Sequence, residues 1–207
     1  PFLGNCAVRH MGSVLHAFEE ELWPALAKRT TEMPVEPAGA RAATMNVAEF
    51  HGGLPENYDG LPSPNVPHAC KMTIDRRFLV EEDLEEVKGE VRLILERLKA
   101  EKEGFSYSIK DLMEVMPSLT PKSSALVQTL GQSIETVLSK QPKHICSPGT
   151  YDQKHIQRLG KLQDCVAYGP GILELAHQPD EFEVIEDMVN SAKVMAVSAL
   201  HLMGVEI

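Results

Sequence analysis

Over the first thirty residues apolar side chains return every three or four positions. Ala7, Met11, Val14, Leu15, Phe18, Leu22, Ala25 and Leu26 fall on one face, the spacing of one amphipathic helix. Pro1 suits a first helical turn, and Pro24 breaks or kinks the ladder near its end. Residues 30–40 (TTEMPVEPAGA) read as a Pro/Gly linker. The period then changes from helical to alternating. In ATMNVAEF, Met45 and Val47 point one way and Thr44, Asn46 and Ala48 the other. After His51-Gly52-Gly53 and a loop rich in Pro, Gly and Asn, a second strand places Cys70, Met72, Ile74 and Phe78 on one face. Arg76 interrupts that face, while Lys71, Thr73, Asp75 and Arg77 take the other. Residues 81–101 form the clearest helix, with Leu84, Val87, Val91, Ile94 and Leu98 on one side and Gly104 as a stop. FSYSIKDLMEVM alternates raggedly, as a third strand.

Residues 1–118 thus run α-β-β-α-β. This is the α+β ferredoxin-like order with its first strand absent, a strand that would lie just before Pro1. The stretch Pro117 to Pro121 is a boundary. Beyond it the pattern predicts an amphipathic helix over 123–138, a strand over 144–146 and a helix over 151–159. A strand over 165–168, a glycine loop and a long last helix from Val184 follow. In that helix Ile185, Met188, Val189, Ala192, Met195, Ala196, Ala199, Leu200 and Met203 line an apolar stripe. Alternating helices and strands belong to an α/β sheet, and two strands are too few to make one. Residues 119–207 therefore read as an incomplete part of an α/β sheet that lacks a partner segment.

Composition narrows the function classes. The 207 residues carry 20 Lys+Arg against 30 Asp+Glu, a net charge of −10. That excludes nucleic acid and anionic membrane as general partners. No apolar run reaches the roughly 18 residues of a membrane span. Cys6, Cys70, Cys146 and Cys165 form no CxxC pair, which argues against a thiolate zinc site, and they read as reduced, buried thiols of a cytoplasmic protein. Strand, glycine loop and polar cluster over 147–181 are the arrangement by which an α/β sheet presents a site at its strand ends. Gly169-Pro170-Gly171 opens no helix and matches no GxGxxG or P-loop spacing, which argues against a nucleotide site.

Three local patterns occur in order. The first is Gly52-Gly53, Asn65-Val66-Pro67 and Asp75-Arg76-Arg77. The second is Gly149-Thr150-Tyr151-Asp152. The third is Tyr168-Gly169-Pro170-Gly171 followed by His177 and Glu181. They resemble the GG…NxxP…DxR, GTSD and GPG…H…(D/N)E runs of the zinc-dependent acetylornithine deacetylase, succinyl-diaminopimelate desuccinylase, aminoacylase and carboxypeptidase family. The resemblance implies a lid or dimerisation domain over 1–118 and the closing part of a catalytic domain over 119–207. It implies hydrolysis of an amide bond in a small N-acylated amino acid or peptide bearing a carboxylate, by water activated between two zinc ions, for which cobalt or manganese can substitute. It also implies a homodimer through the lid.

Residue by residue, the resemblance makes His177 a metal ligand, with Glu181 or Asp180 as acceptor for its second ring nitrogen. Arg77 would take the substrate carboxylate and Asn65 would donate to substrate or oxyanion. Gly169 and Gly171 would offer backbone donors, and Thr150 and Ser147 would assist. The family's HxD pair, bridging Asp and Glu-Glu pair have no counterpart here. Its lid histidine would precede Pro1-Phe2-Leu3-Gly4; His10 and His16 lie inside the helix and do not match it, and His51, His68, His144, His155 and His201 read as structural. On spacing alone, His177 is a surface loop residue, Arg77 a solvated partner of Asp75, and Asn65 a turn residue. The alternative function is a non-catalytic dimerisation or interaction fragment lacking most metal ligands.

Overall fold

A computed structural model of the protein describes residues 4–55, 57–61, 64–147, 149 and 151–205. The chain divides into two compact units, Pro1–Glu32 with Arg41–Leu112, and Met33–Ala40 with Met113–Ile207.

In the first unit, α1 (Ala7–Ala17) runs through a π-turn (Phe18–Leu22) into α2 (Trp23–Leu26). Pro24 neither ends nor breaks this helix. The Trp23 N–H bonds the carbonyl of Phe18, five residues back, and this wider turn steps around the N–H that proline lacks. Val14, Phe18, Leu22 and Leu26 stay on one buried face. Strands β1 (Thr44–Gly52) and β2 (Cys70–Arg77) pair antiparallel. Ala48 is an extra residue between the pairs Val47↔Ile74 and Glu49↔Thr73. The bulge shifts parity, so Phe50 joins Met45 and Val47 opposite Met72, Arg76 and Ile74. Helix α3 (Leu84–Glu101) starts at Asp83, whose carboxylate accepts from the N–H groups of Glu85 and Glu86, a cap worth about 1 kcal/mol. Val91, Ile94, Leu95 and Leu98 of α3 meet Val14, Phe18, Met45 and Phe105 in one core, each large side chain contributing about 1.5–3 kcal/mol.

The third strand read from FSYSIKDLMEVM is absent: residues 105–121 join no ladder, and the sheet of the described residues has two strands. Alternation survives without pairing. Phe105 is buried and Tyr107 half-buried, while Ser106 and Ser108 are exposed. Tyr107 Oη donates to Glu96 at 2.5 Å and Lys88 pairs with Asp111 at 3.1 Å, tying the segment to α3. The described residues follow the order α-β-β-α, and the closing strand of the expected ferredoxin-like fold does not form.

In the second unit, α4 (Ala125–Leu138) begins at Ser124, whose Oγ accepts from the Val127 N–H. It packs on α6 (Ile185–Leu202) through small residues, with Ser133, Ser191, Val194 and Ser198 buried. The Ser133 and Ser198 hydroxyls turn back to the carbonyls of Thr129 and Val194, which lets the two helices close tightly. Neither predicted strand of this unit forms. Cys146 makes one parallel bridge to Val35. The 165–168 segment has no ladder; its backbone takes a side-chain partner instead. Thr120 Oγ1 donates to the Cys165 carbonyl at 2.6 Å and accepts from the Cys165 N–H at 3.1 Å. The four cysteines are free and only half-buried, not buried as expected. No helix of the described residues is long and apolar enough to cross a membrane.

Candidate functional site

The first motif run lies in the first unit. Gly52 closes β1 opposite Cys70. A Cβ there would lie 2.7 Å from Val8 Cγ2 and 2.9 Å from Cys70 Sγ, so only glycine lets α1 approach the strand end. Gly53 follows with φ of +99°. The Pro67 carbonyl accepts the Ala7 N–H at 2.9 Å, which hangs the start of α1 on the loop before β2. Burial pushes the Cys70 thiol pKa up, and nearby Cys6 adds to the rise. Asn65 is exposed in that loop.

Arg77 ends β2 on the solvent face. Its Nε donates to Asp75 Oδ1 at 3.0 Å and its Nη2 to Asp75 Oδ2 at 2.9 Å. This forked geometry is the one a substrate carboxylate would need, and Asp75 occupies it. Glu49, Lys71 and Thr73 share the face, with Lys71 2.7 Å from Glu49 and the Thr73 hydroxyl donating to it at 2.8 Å. Lys71 and Thr73 hold the Glu49 carboxyl below its ordinary pKa.

Arg76, one residue earlier, points to the opposite face and explains the break in the apolar pattern. Its side chain is 9% exposed and 2.7 Å from Glu82, which is 13% exposed. Arg29 bonds Glu82 at 3.1 Å and also Glu90. Burial by itself raises the Glu82 pKa, but Arg76, the Leu79 N–H and Arg29 outweigh it and hold the carboxyl below its usual range.

The other two motifs lie in the second unit. The Ser147 hydroxyl accepts from the Gly149 N–H at 3.1 Å and meets Tyr151 Oη at 3.0 Å. Thr150, the expected substrate contact of this turn, lies outside the described residues, as does Pro1. Tyr168 precedes the glycine loop; burial raises its pKa, and the Ser191 hydroxyl of α6 partly offsets the rise. Gly169 is in open space, and Gly171 has φ of +110° with Glu183 Oε2 3.0 Å from where a Cβ would stand. After one 3-10 turn, Leu173–Leu175, His177 and Asp180 both adopt left-handed backbone, φ 63° and 61°. Such conformations cost of order 1 kcal/mol each in residues other than glycine. Glu181 Oε2 accepts from the His177 backbone N–H at 3.1 Å. Glu181 thus ties the loop backbone at His177, and His177 is exposed.

Among the described residues no three His, Cys, Asp or Glu side chains converge in a way that would hold a metal ion. The donors present here do not make a metal centre, and His177 stands as a single candidate ligand. A feature that sequence reasoning passed over is the run Lys154, His155, Arg158, Lys161, free of acids; its charge sign was the available signal.

The model of Peptidase family M20/M25/M40 matches residues 10–201, and the chain belongs to this family. Acetylornithine deacetylase of Myxococcus xanthus is 25% identical over 161 residues, 78% of this chain and 38% of that protein. An M20 family metallo-carboxypeptidase, Sso-CP2 of Sulfolobus solfataricus, superposes with a TM-score of 0.51 at 23% identity, covering 90% of this chain and 43% of that one. The chain thus spans about two fifths of the length of these relatives.

Proposed function

We propose that this chain is the lid and the closing catalytic segment of an M20 amide hydrolase. Its substrate is a small molecule with a free carboxylate, an N-acylated amino acid or a short peptide. The names of the two relatives, a deacetylase and a carboxypeptidase, support that class. The observation that carries the reading is the family match across residues 10–201, which holds both the Asp75–Arg77 fork and the strained loop around His177. Arg77 receives the carboxylate in exchange for Asp75, a trade between equivalent forked contacts. Asn65 and the backbone of Gly169, Gly171 and Thr150 orient the amide. His177 supplies one imidazole ligand, and the remaining donors come from protein outside this chain. Zinc, when bound by the complete set, supplies an activated water and polarises the carbonyl.

On the same reading, 1–118 is a ferredoxin-like lid and 119–207 the catalytic piece, and the lid pairs two copies. Two contacts support the lid. Ala7 N–H reaches Pro67 O at 2.9 Å, and Asn5 Nδ2 donates to Gly104 O at 2.7 Å. The start of α1 therefore bridges the beginnings of β2 and of the 105–112 segment, where a strand leading into α1 would enter between them.

The test is His177→Ala in a protein that includes the rest of the catalytic domain. Zinc stoichiometry and turnover both fall in the expected outcome. Unchanged metal content and rate would refute the ligand role. In parallel, Arg77→Ala should raise KM for the carboxylate substrate by about tenfold or more, consistent with one charge-assisted contact. An amide analogue of that substrate should be little affected.

A further inference from the structure

Residues 154–161, KHIQRLGK, place three formal positive charges and a histidine in eight positions with no acid among them, in a chain of net charge −10. In the second unit this run lines a groove of about 340 Å³. The opposite wall is the 115–118 stretch, and no carboxylate lines the groove among the described residues. Gln157 is pinned at its base: it accepts from Ser118 Oγ, and its Nε2 donates to the Gln163 carbonyl at 2.6 Å and to Thr120 Oγ1 at 3.3 Å. This fixes the face of α5 (Gln153–Arg158) that faces the groove.

Local helix energetics do not account for these charges. Arg158 lies in the last turn of α5, where a cation interacts favourably with the helix dipole. Lys154 lies in the first turn, where it does not. Lys154 and Arg158 are also four residues apart, a spacing at which like charges repel. None of Lys154, His155, Arg158 and Lys161 forms an ion pair among the described residues, although Lys143 of the same unit finds Glu36. Walls of one sign concentrate counter-ions in such a cleft.

We propose that this groove binds a small oxyanion of two or more charges, a phosphate monoester or a polycarboxylate. The Arg158 guanidinium makes the forked contact and Lys154 and Lys161 act as point charges. Val115, Met116 and Pro117 form an apolar wall for the body of such a molecule. The site is separate from the His177 loop in role, and it stands whether or not the hydrolase reading holds.

The experiment titrates the 207-residue chain with inorganic phosphate, citrate and acetate at matched ionic strength, following backbone amides by heteronuclear NMR. The expected result is saturable shifts confined to 115–118 and 153–163, for phosphate, citrate or both, with acetate about tenfold weaker. A response to phosphate alone assigns a phosphoryl ligand, and a response to citrate alone a polycarboxylate. The double variant Lys154→Gln/Arg158→Gln should lose about tenfold or more in affinity, with its spectrum elsewhere unchanged. Lys161→Gln, outside the helix, should lose about threefold on its own and guards against misfolding of the double variant. Shifts that follow ionic strength equally for all three anions would overturn the proposal, as would undiminished affinity in both variants.

Discussion

Gly52 has no room for a side chain, which gives the first motif a packing role at this position. Gly52→Ala would push a methyl group into Val8 and Cys70. An over-packed site of this kind costs about 1–3 kcal/mol, so the urea midpoint should fall by a corresponding amount with the m-value unchanged. An unaltered midpoint would show that α1 is not seated as described. Arg76 and Glu82 form the other decisive pair. Because the folded state depresses the Glu82 pKa, its stabilisation is complete above the ordinary glutamate value of about 4.3. It is lost as pH falls through the lower folded value. Thermal unfolding should therefore be nearly flat from neutrality to about pH 5 on account of this group and fall steeply below about pH 4. Glu82→Gln should cost about 3 kcal/mol at neutral pH, because it leaves Arg76 buried with one partner fewer, and should flatten the acid limb. Parallel acid limbs in the two proteins would remove the Arg76–Glu82 pair as the cause.

At the level of single elements, the helices were legible and the strands only half so. Asp83 and Ser124 cap α3 and α4 where the apolar periodicity begins, because caps and periodicity are local properties. The 105–112 and 165–168 segments have the composition and alternation of strands, but a strand exists only with a neighbour. The sequence cannot show whether that neighbour lies in the same chain. If a strand enters between β2 and 105–112 in the longer protein, the amides of β2 that face away from β1 should become protected from hydrogen exchange. Alternate amides over 105–112 should gain protection with them. Exchange rates equal to those of the 207-residue chain would exclude the inserted strand.

At the scale of the whole molecule, α6 carries the main consequence. Its expected apolar stripe faces outward: Ile185 is 77% exposed and Met195 50%, while the serines hold α4. Apolar faces of this extent are often interaction surfaces; on the proposed reading the rest of a catalytic domain would cover this one. Met195→Glu should leave the fold intact in this chain and reduce dye binding and self-association. In the longer protein the same change should destabilise by several kcal/mol, because a charge would then be buried. Equal stability of the two longer proteins would mean that this face stays in water.

The sequence by itself determined what depends on neighbours within a few residues. It specified five helices to within about two turns, the first of them continuous through α1 and α2, along with strands β1 and β2 and the motif residues. Tertiary structure alone decided the rest. It turned Arg76 inward and Arg77 onto Asp75, buried the serine face of α6 instead of its methionine face, left two strand-like segments without ladders and brought the 115–118 stretch beside the basic run to form a groove. The reason is physical: capping and periodicity act through contacts three or four residues away, whereas burial, ion pairing and sheet pairing depend on which distant surface arrives, and the same local pattern serves more than one.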